Sequence, residues 1–178
     1  MSADTHPLRP PPREMDRTAF IERFGGVYEH SPWIAEAVWN AGLDGRHDSA
    51  EGLAAAMEAA LAAAGDDRKL ALLRAHPELA GKAAIRRDLT AASTGEQSGA
   101  GLDQCTPGEY ARFQTLNAAY NERFGFPFIM AVRGANREEI LAAFEQRLRN
   151  APAAEFRTAL EQVNRIARLR LLAMAAGH

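Results

Sequence analysis

Apolar side chains recur at steps of three and four residues along most of this chain. The clearest run follows a capping-box pattern, Thr106 with Glu109, and ends at Gly125. Its apolar positions are Tyr110, Phe113, Leu116, Tyr120 and Phe124. This spacing places side chains on one face of an α-helix, and the alternating β-branched runs that predict strands are missing. We therefore expect an all-α fold, a compact single-domain bundle of about seven or eight helices.

Local start and stop signals divide the rest of the chain into helices. Residues that suit the beginning of a helix are Asp16, Ser31 with Pro32, Asp48 with Glu51, Asn136 with Glu139, and Pro152, from which the last helix should run to about Met174. Glycines that suit the end of a helix are Gly25, Gly42 and Gly65. A fourth helix, from about residue 67 to residue 75, must end before Pro77, which lacks a backbone N–H and disfavours helical geometry at His76.

Two segments lack helical periodicity. Residues 82–104 are rich in glycine and small polar residues, and residues 125–134 contain the run Phe126-Pro127-Phe128-Ile129. We expect both to be irregular. Long irregular segments in a helical scaffold often build functional sites.

Composition narrows the class of protein. The 178 residues are 47% hydrophobic, which is enough for one core, and we place an all-helical domain at residues 16–178. Residues 1–15 are proline-rich and are predicted to form a flexible tail. The 21 Lys and Arg nearly balance the 23 Asp and Glu, so we expect no nucleic-acid partner. Neither a secretory signal nor a membrane span is visible, and the lone Cys105 excludes an internal disulfide. We expect a cytoplasmic protein.

Arg170 is the arginine of the last predicted helix that should point inward. At 100° per residue it falls on the stripe formed by Phe156, Leu160, Val163, Ala167 and Met174. Arg165 and Arg168 point elsewhere. A buried arginine must be paired or must meet an anionic or polar ligand. An internal ion pair or a side chain that reaches out to solvent explains the pattern equally well.

His76 and Glu96 are the other candidates for chemistry. A helix C-terminus favours the protonated imidazole of His76, which suits a general acid, although a polar cap on the helix explains the residue as well. Glu96 lies in Ser93-Thr94-Gly95-Glu96-Gln97, where its carboxylate either closes a capping box or, beside the amide of Gln97, accepts from a planar polar substrate.

Cofactor and metal motifs are missing. The glycines at 95, 99 and 101 form neither a Walker loop nor a dinucleotide fingerprint. No His-Glu-x-x-His pattern occurs, so a metal would need an unrecognised set of ligands. We expect neither a cofactor nor a metal ion.

Four sequence segments occur together in a specific order. They read HPELAGK at 76–82, STGEQ at 93–97, FGFPFI at 124–129 and RIARLRL at 165–171, and FGGVYEHSPW at 24–33 fits with them. The chain resembles the 2-oxo-4-hydroxy-4-carboxy-5-ureidoimidazoline (OHCU) decarboxylases over residues 17–172. These enzymes catalyse the last step from urate to (S)-allantoin.

The resemblance implies an all-helical homodimer and decarboxylation without a cofactor. It also implies catalytic roles for His76, Glu96 and Arg170. The implied substrate-binding residues are Pro77, Ser93, Gln97, Phe128, Ile129 and Val132. Two alternatives stay open: a helical module that binds a ligand without turnover, and a lyase or hydrolase that acts on a related ureide.

Overall fold

The computed structural model describes residues 5–81 and 89–177, and this part of the chain is all-α. It contains eight α-helices and no strand, in agreement with the fold expected from the sequence. The helices are α1 (Arg17–Phe24), α2 (Trp33–Ala41), α3 (Ala50–Ala62), α4 (Asp66–Arg74), α5 (Ala91–Gly99), α6 (Pro107–Phe124), α7 (Arg137–Arg147) and α8 (Pro152–Ala175). Short 3-10 helices span Pro12–Glu14, Gly45–Asp48 and Leu102–Gln104.

Most of the predicted helix ends are confirmed by their cap geometry. The Asp16 side chain accepts a hydrogen bond from Ala19 N, and Thr106 and Glu109 form both bonds of a capping box. The Asn136 side chain accepts from Glu139 N at the start of α7. These caps stabilise the first helical turn because its N–H groups have no partner within the helix.

Helices α2 and α3 begin close to where the sequence predicted, but their predicted caps are wrong. Helix α2 begins after Ser31 and Pro32 without a side-chain cap, because the Ser31 hydroxyl donates to the carbonyl of Glu29 instead. Helix α3 is capped by Ser49, not by Asp48. The carboxylates of Asp48 and Glu51 are bound by residues of the N-terminal segment.

Residues 5–15 of that N-terminal segment pack in an ordered way, whereas a flexible tail was expected for residues 1–15. Leu8 is 1% exposed, and its N–H donates to the carbonyl of Asp48 at 2.8 Å. Arg13 Nε lies 2.8 Å from Asp48 Oδ2, and the His6 ring contacts the Glu51 carboxylate at 2.5 Å. Proline-rich composition lowers local order, but it does not reveal that a distant helix offers partners for these side chains.

Residues 89–104 are also more regular than expected. Thr90 caps α5 by accepting from Ser93 N, so the prediction of an irregular segment is wrong for Ala91–Gly99. Residues 82–88 lie outside the described residues. The prediction for 125–134 is confirmed, since no helix forms there.

The chain groups into two compact units, which are described separately. The first combines residues up to 75 with residues from 164 onward, and the second comprises residues 76–163. In the first, the Phe20 ring lies 5.0 Å from that of Phe24 and 5.5 Å from that of Trp39. In the second, Tyr120 is the centre of an aromatic core with Phe124, Phe126, Phe128 and Phe144. The expectation of one domain over 16–178 stays a prediction.

None of the described helices combines the length and the apolar character that crossing a membrane requires.

Candidate active site

His76 follows the end of α4, where the sequence predicted it. Ala75 closes the helix, with its N–H bonded to the carbonyls of Ala71 and Leu72. Pro77 then prevents another helical turn because it has no N–H to donate. The His76 residue is 8% exposed. It is therefore a largely buried imidazole at the start of an irregular segment, and it belongs to the second unit.

Side-chain amides hold the backbone that follows His76. The Gln97 carboxamide bridges two residues of this segment: Nε2 donates to the Glu78 carbonyl at 3.2 Å, and Oε1 accepts from Ala80 N at 3.1 Å. From α6, Asn117 Nδ2 donates to the carbonyl of Leu79 at 3.0 Å. These bonds replace the helical or sheet partners that an irregular buried segment lacks.

Helix α5 presents the three predicted polar residues on one side. Ser93 and Gln97 are 4% and 5% exposed, and Glu96 is partly buried. Residues three and four apart on a helix are neighbours. Because the helix is capped at Thr90, Ser93 is not an N-cap, and the capping-box interpretation of Glu96 is wrong. Gln97 links the helix that carries Glu96 to the segment that follows His76.

The segment after Gly125 packs its predicted site residues into the core. The Phe128 ring stacks on Phe144 with centroids 3.9 Å apart, and it is fully buried. Ile129 and Val132 are 3% and 4% exposed. The Phe128 side chain is therefore part of the core. Any contact that Phe128 makes to a ligand must come from its backbone.

A buried ion pair supports the same segment. Arg147 Nε lies 2.5 Å from Glu155 Oε1, and Arg147 Nη1 donates to the Ile129 carbonyl. The guanidinium also lies 4.4 Å from the centroid of Phe128, and the Gln162 side chain accepts from Ala131 N. Sequence reasoning missed this pair. Its only signal was an arginine near the end of one helix and a glutamate near the start of the next.

Arg170 points inward, as the helical stripe predicted, and it lies in the first unit. Its side chain is 8% exposed, whereas Arg165 and Arg168 are exposed. Arg170 Nη2 lies 2.8 Å from Glu29 Oε1, and Nη1 donates to the Val27 carbonyl at 3.3 Å. Of the interpretations left open by the sequence, the internal ion pair is the one observed.

The partner in this pair, Glu29, was missed by sequence reasoning. Glu29 is 1% exposed, which is unusual for a carboxylate unless it is paired. Its only signal in the sequence was its position between Tyr28 and His30, beside the Ser31-Pro32 helix start. The Tyr28 hydroxyl donates to Asn164 Oδ1 at 2.7 Å, and burial raises the pKa of that phenol.

Within residues 5–81 and 89–177, no three His, Cys, Asp or Glu side chains are grouped so that they could hold a metal ion. Burial raises the pKa of the Cys105 thiol, which agrees with a packed cysteine rather than a reactive one.

Comparison with known sequences decides the family. The OHCU decarboxylase sequence profile matches residues 13–172. The chain belongs to the OHCU decarboxylase family. The 2-oxo-4-hydroxy-4-carboxy-5-ureidoimidazoline decarboxylase of Haloferax volcanii is 45% identical over 157 residues, which cover 88% of this chain and 89% of that protein. The protein of the same name from Halalkalicoccus jeotgali is 42% identical, over 89% of this chain and 86% of its own length.

Structural comparison agrees with the sequence match. The crystal structure of (S)-allantoin synthase is similar to this chain with a TM-score of 0.71 and 36% sequence identity. The match covers 92% of this chain and 52% of the solved one. The present chain therefore spans about half of that longer protein, and the all-α architecture is shared across the matched half.

Proposed function

We propose that this chain is an OHCU decarboxylase, which converts 2-oxo-4-hydroxy-4-carboxy-5-ureidoimidazoline to (S)-allantoin without a cofactor. This is the last step of urate degradation to allantoin. The observation that carries the proposal is the family match over residues 13–172, supported by 45% identity to the Haloferax volcanii decarboxylase.

The substrate supplies its own electron sink. When the bond between the ring carbon and its carboxylate breaks, carbon dioxide leaves and the electron pair shifts toward the adjacent imine, whose nitrogen takes up one proton. The resulting enol becomes a carbonyl as its hydroxyl loses a proton and the carbon bearing the ureido group gains one. The net reaction consumes one proton. The protein must orient the ring, stabilise developing charge and deliver the last proton to one face.

His76 is the proposed acid that supplies or relays this proton, and Glu96 is its partner. A carboxylate near an imidazole favours the charged ring. The link through Gln97 between α5 and the segment after His76 supports the pairing, because it ties the two elements that carry these residues.

Arg170 is the proposed cation that contacts a substrate oxygen that gains charge. Binding only the departing carboxylate would stabilise the ground state and not the transition state. The bonds from Arg170 to Glu29 and Val27 support this role because they orient the guanidinium. The proposed contacts to the substrate come from Pro77, Ser93, Gln97, Phe128, Ile129 and Val132. For Phe128 the buried ring leaves the backbone as the part that would bind.

The family relationship also leads us to propose a homodimer in the cytoplasm, with a small-molecule substrate and no nucleic-acid or membrane partner. Light scattering on the purified protein tests the dimer. A mass near that of one chain would contradict it.

The decisive experiment measures turnover and chirality together. The unstable substrate is generated in place from urate by the two preceding enzymes, and (S)-allantoin is followed by circular dichroism. We expect wild-type protein to accelerate (S)-allantoin formation and His76→Asn to lose about 10²- to 10⁴-fold in rate. His6→Asn is the matched control, since His6 lies against Glu51 in the N-terminal segment and should retain full activity.

The outcomes separate the alternatives. A wild-type trace that matches spontaneous decay would reject the decarboxylase and favour the binding module. Near-normal rate and chirality in His76→Asn would reject the role of His76 alone. Turnover of a related ureide in preference to this substrate would favour the other lyase or hydrolase.

A further inference from the structure

We propose that Gln114 and Asn117 of α6 are positioning residues for His76, which act by holding the backbone of residues 78–80. This inference rests on the proposed decarboxylase function. It assigns a catalytic consequence to side chains that lie on α6, outside the segments that carry the resemblance.

Three consecutive carbonyls after His76 accept hydrogen bonds from side-chain amides. Glu78 O accepts from Gln97 at 3.2 Å, Leu79 O from Asn117 at 3.0 Å, and Ala80 O from Gln114 at 2.8 Å. If these carbonyls lay at the surface, water would bond to them and no side-chain donors would be needed. The segment is instead buried, with Leu79 7% and Ala80 4% exposed.

The backbone at Ala80 is held in an unfavourable conformation. Its φ is +50°, a left-handed value that costs a residue with a Cβ about 1–2 kcal/mol. Such a conformation persists only where surrounding contacts enforce it. Ala80 is bonded on both sides, by Gln97 at its N–H and by Gln114 at its carbonyl. Without the Gln114 bond, this residue is expected to relax toward an ordinary conformation.

The hydrogen-bonded segment 78–80 lies very close to His76 in the chain. Only Pro77 lies between His76 and Glu78. The ring of Pro77 restricts its own φ and also confines His76 to extended geometry. A change in the backbone at 78–80 is therefore transmitted to His76 rather than absorbed by free rotation.

The hydrogen bonds that hold residues 78–80 also connect them to the helix that carries Glu96, the proposed partner of His76. Gln97, which bonds to Glu78 and Ala80, is the next residue after Glu96 on α5. The segment is thus bonded from α5 on one side and from α6 on the other. Proton transfer requires donor and acceptor atoms about 2.6–3.2 Å apart, and a displacement of 1 Å can cost about 100-fold in rate. Gln114 and Asn117 therefore affect catalysis by limiting movement of the segment.

The test replaces Gln114, which is only partly buried, so that the variant is expected to fold. Gln114→Met keeps the length of the side chain and removes the donor to Ala80. Gln114→Asn keeps an amide but is one methylene too short to reach. Gln146→Met is the matched control, because Gln146 is an exposed glutamine on α7. Each protein is assayed at several initial urate concentrations, with thermal unfolding followed by circular dichroism.

We expect kcat to fall about 10-fold in Gln114→Met and in Gln114→Asn, with KM within twofold of wild type. Gln146→Met should match wild type in both. A purely structural role predicts a lower unfolding temperature with unchanged kcat per folded molecule, and that result would overturn the inference. A change confined to KM would overturn it as well.

If wild type only matches spontaneous decay, the proposed function fails and the inference fails with it. An active wild type with unaltered Gln114 variants rejects this inference alone.

Discussion

Glu155 is a carboxylate with no exposed surface, and its charge is paired with the Arg147 guanidinium. Its Oε1 lies 2.5 Å from Arg147 Nε, and its Oε2 accepts from Asn150 Nδ2 at 3.3 Å. Burying two charges is costly, and the mutual attraction of the pair offsets that cost only while both are present. The pair is thus better understood as a requirement of this core than as a source of net stability.

We predict that Glu155→Gln lowers the free energy of unfolding by about 3 kcal/mol, because it leaves the buried Arg147 charge uncompensated. Urea denaturation measures the loss. Glu145→Gln is the matched control, since Glu145 pairs with Arg112 at an exposed site, where such pairs contribute below about 1 kcal/mol. Equal losses in the two variants would contradict the distinction between buried and exposed pairs.

Gln97 shows that a sequence motif can reveal one role of a residue and miss another. Gln97 was predicted to bind substrate through its amide, and that role stays a proposal. The structure gives the same amide two backbone partners, Glu78 and Ala80. A carboxamide has two N–H donors and two acceptor lone pairs, so holding the segment and contacting a substrate are compatible.

Among the elements, the start of α3 depends most on a remote partner. The Glu51 carboxylate accepts from His6 N at 3.0 Å and contacts the His6 ring. Burial acts to raise the pKa of Glu51, but the hydrogen bonds from His6 outweigh it and hold the pKa below its usual value. A depressed pKa in the folded state means that the ionised carboxylate stabilises the fold.

The sign of this effect sets a pH prediction. The contribution of Glu51 should be complete above the pKa of an unfolded glutamate, about 4.3, and should be lost as pH falls through that value toward the lower folded pKa. We expect Glu51→Gln to be less stable than wild type at pH 7, by up to about 1 kcal/mol, and this difference should shrink as pH falls below about 4.3. Urea denaturation at pH 7 and pH 3 checks this, and a difference as large at pH 3 as at pH 7 would contradict it.

Helix boundaries were predictable where the signal is local. Thr106 with Glu109, Asn136, Gly42 and Gly125 act through backbone groups within four residues, so sequence alone identifies them. The Asp48–Glu51 box failed because Arg13 and His6 bind the same carboxylates from outside the helix. A cap is predictable only while no distant residue competes for it.

At the scale of the whole molecule, the folded part of the chain begins earlier than residue 16, where the sequence had placed it. Leu8 is 1% exposed and belongs to the same unit as α3. We predict that Leu8→Ala destabilises the protein by about 2–5 kcal/mol, the usual cost of removing a buried leucine side chain. Thermal unfolding by circular dichroism measures it. A loss below about 0.5 kcal/mol in Leu8→Ala would instead support the flexible tail.

The sequence by itself determined the all-α class, most helix ends, the family, the end of α4 before Pro77 and the inward direction of Arg170. The family follows from the order of motifs spread along the chain, and each of the others depends on residues close in the chain or on a helical period of 3.6. Only the tertiary structure decided what these residues touch. Gln114 and Asn117 meet Ala80 and Leu79 from 34 and 38 positions away, and Arg170 meets Glu29 across 141. Such pairings depend on how the elements pack, and no local pattern encodes which distant donor will meet a given buried acceptor.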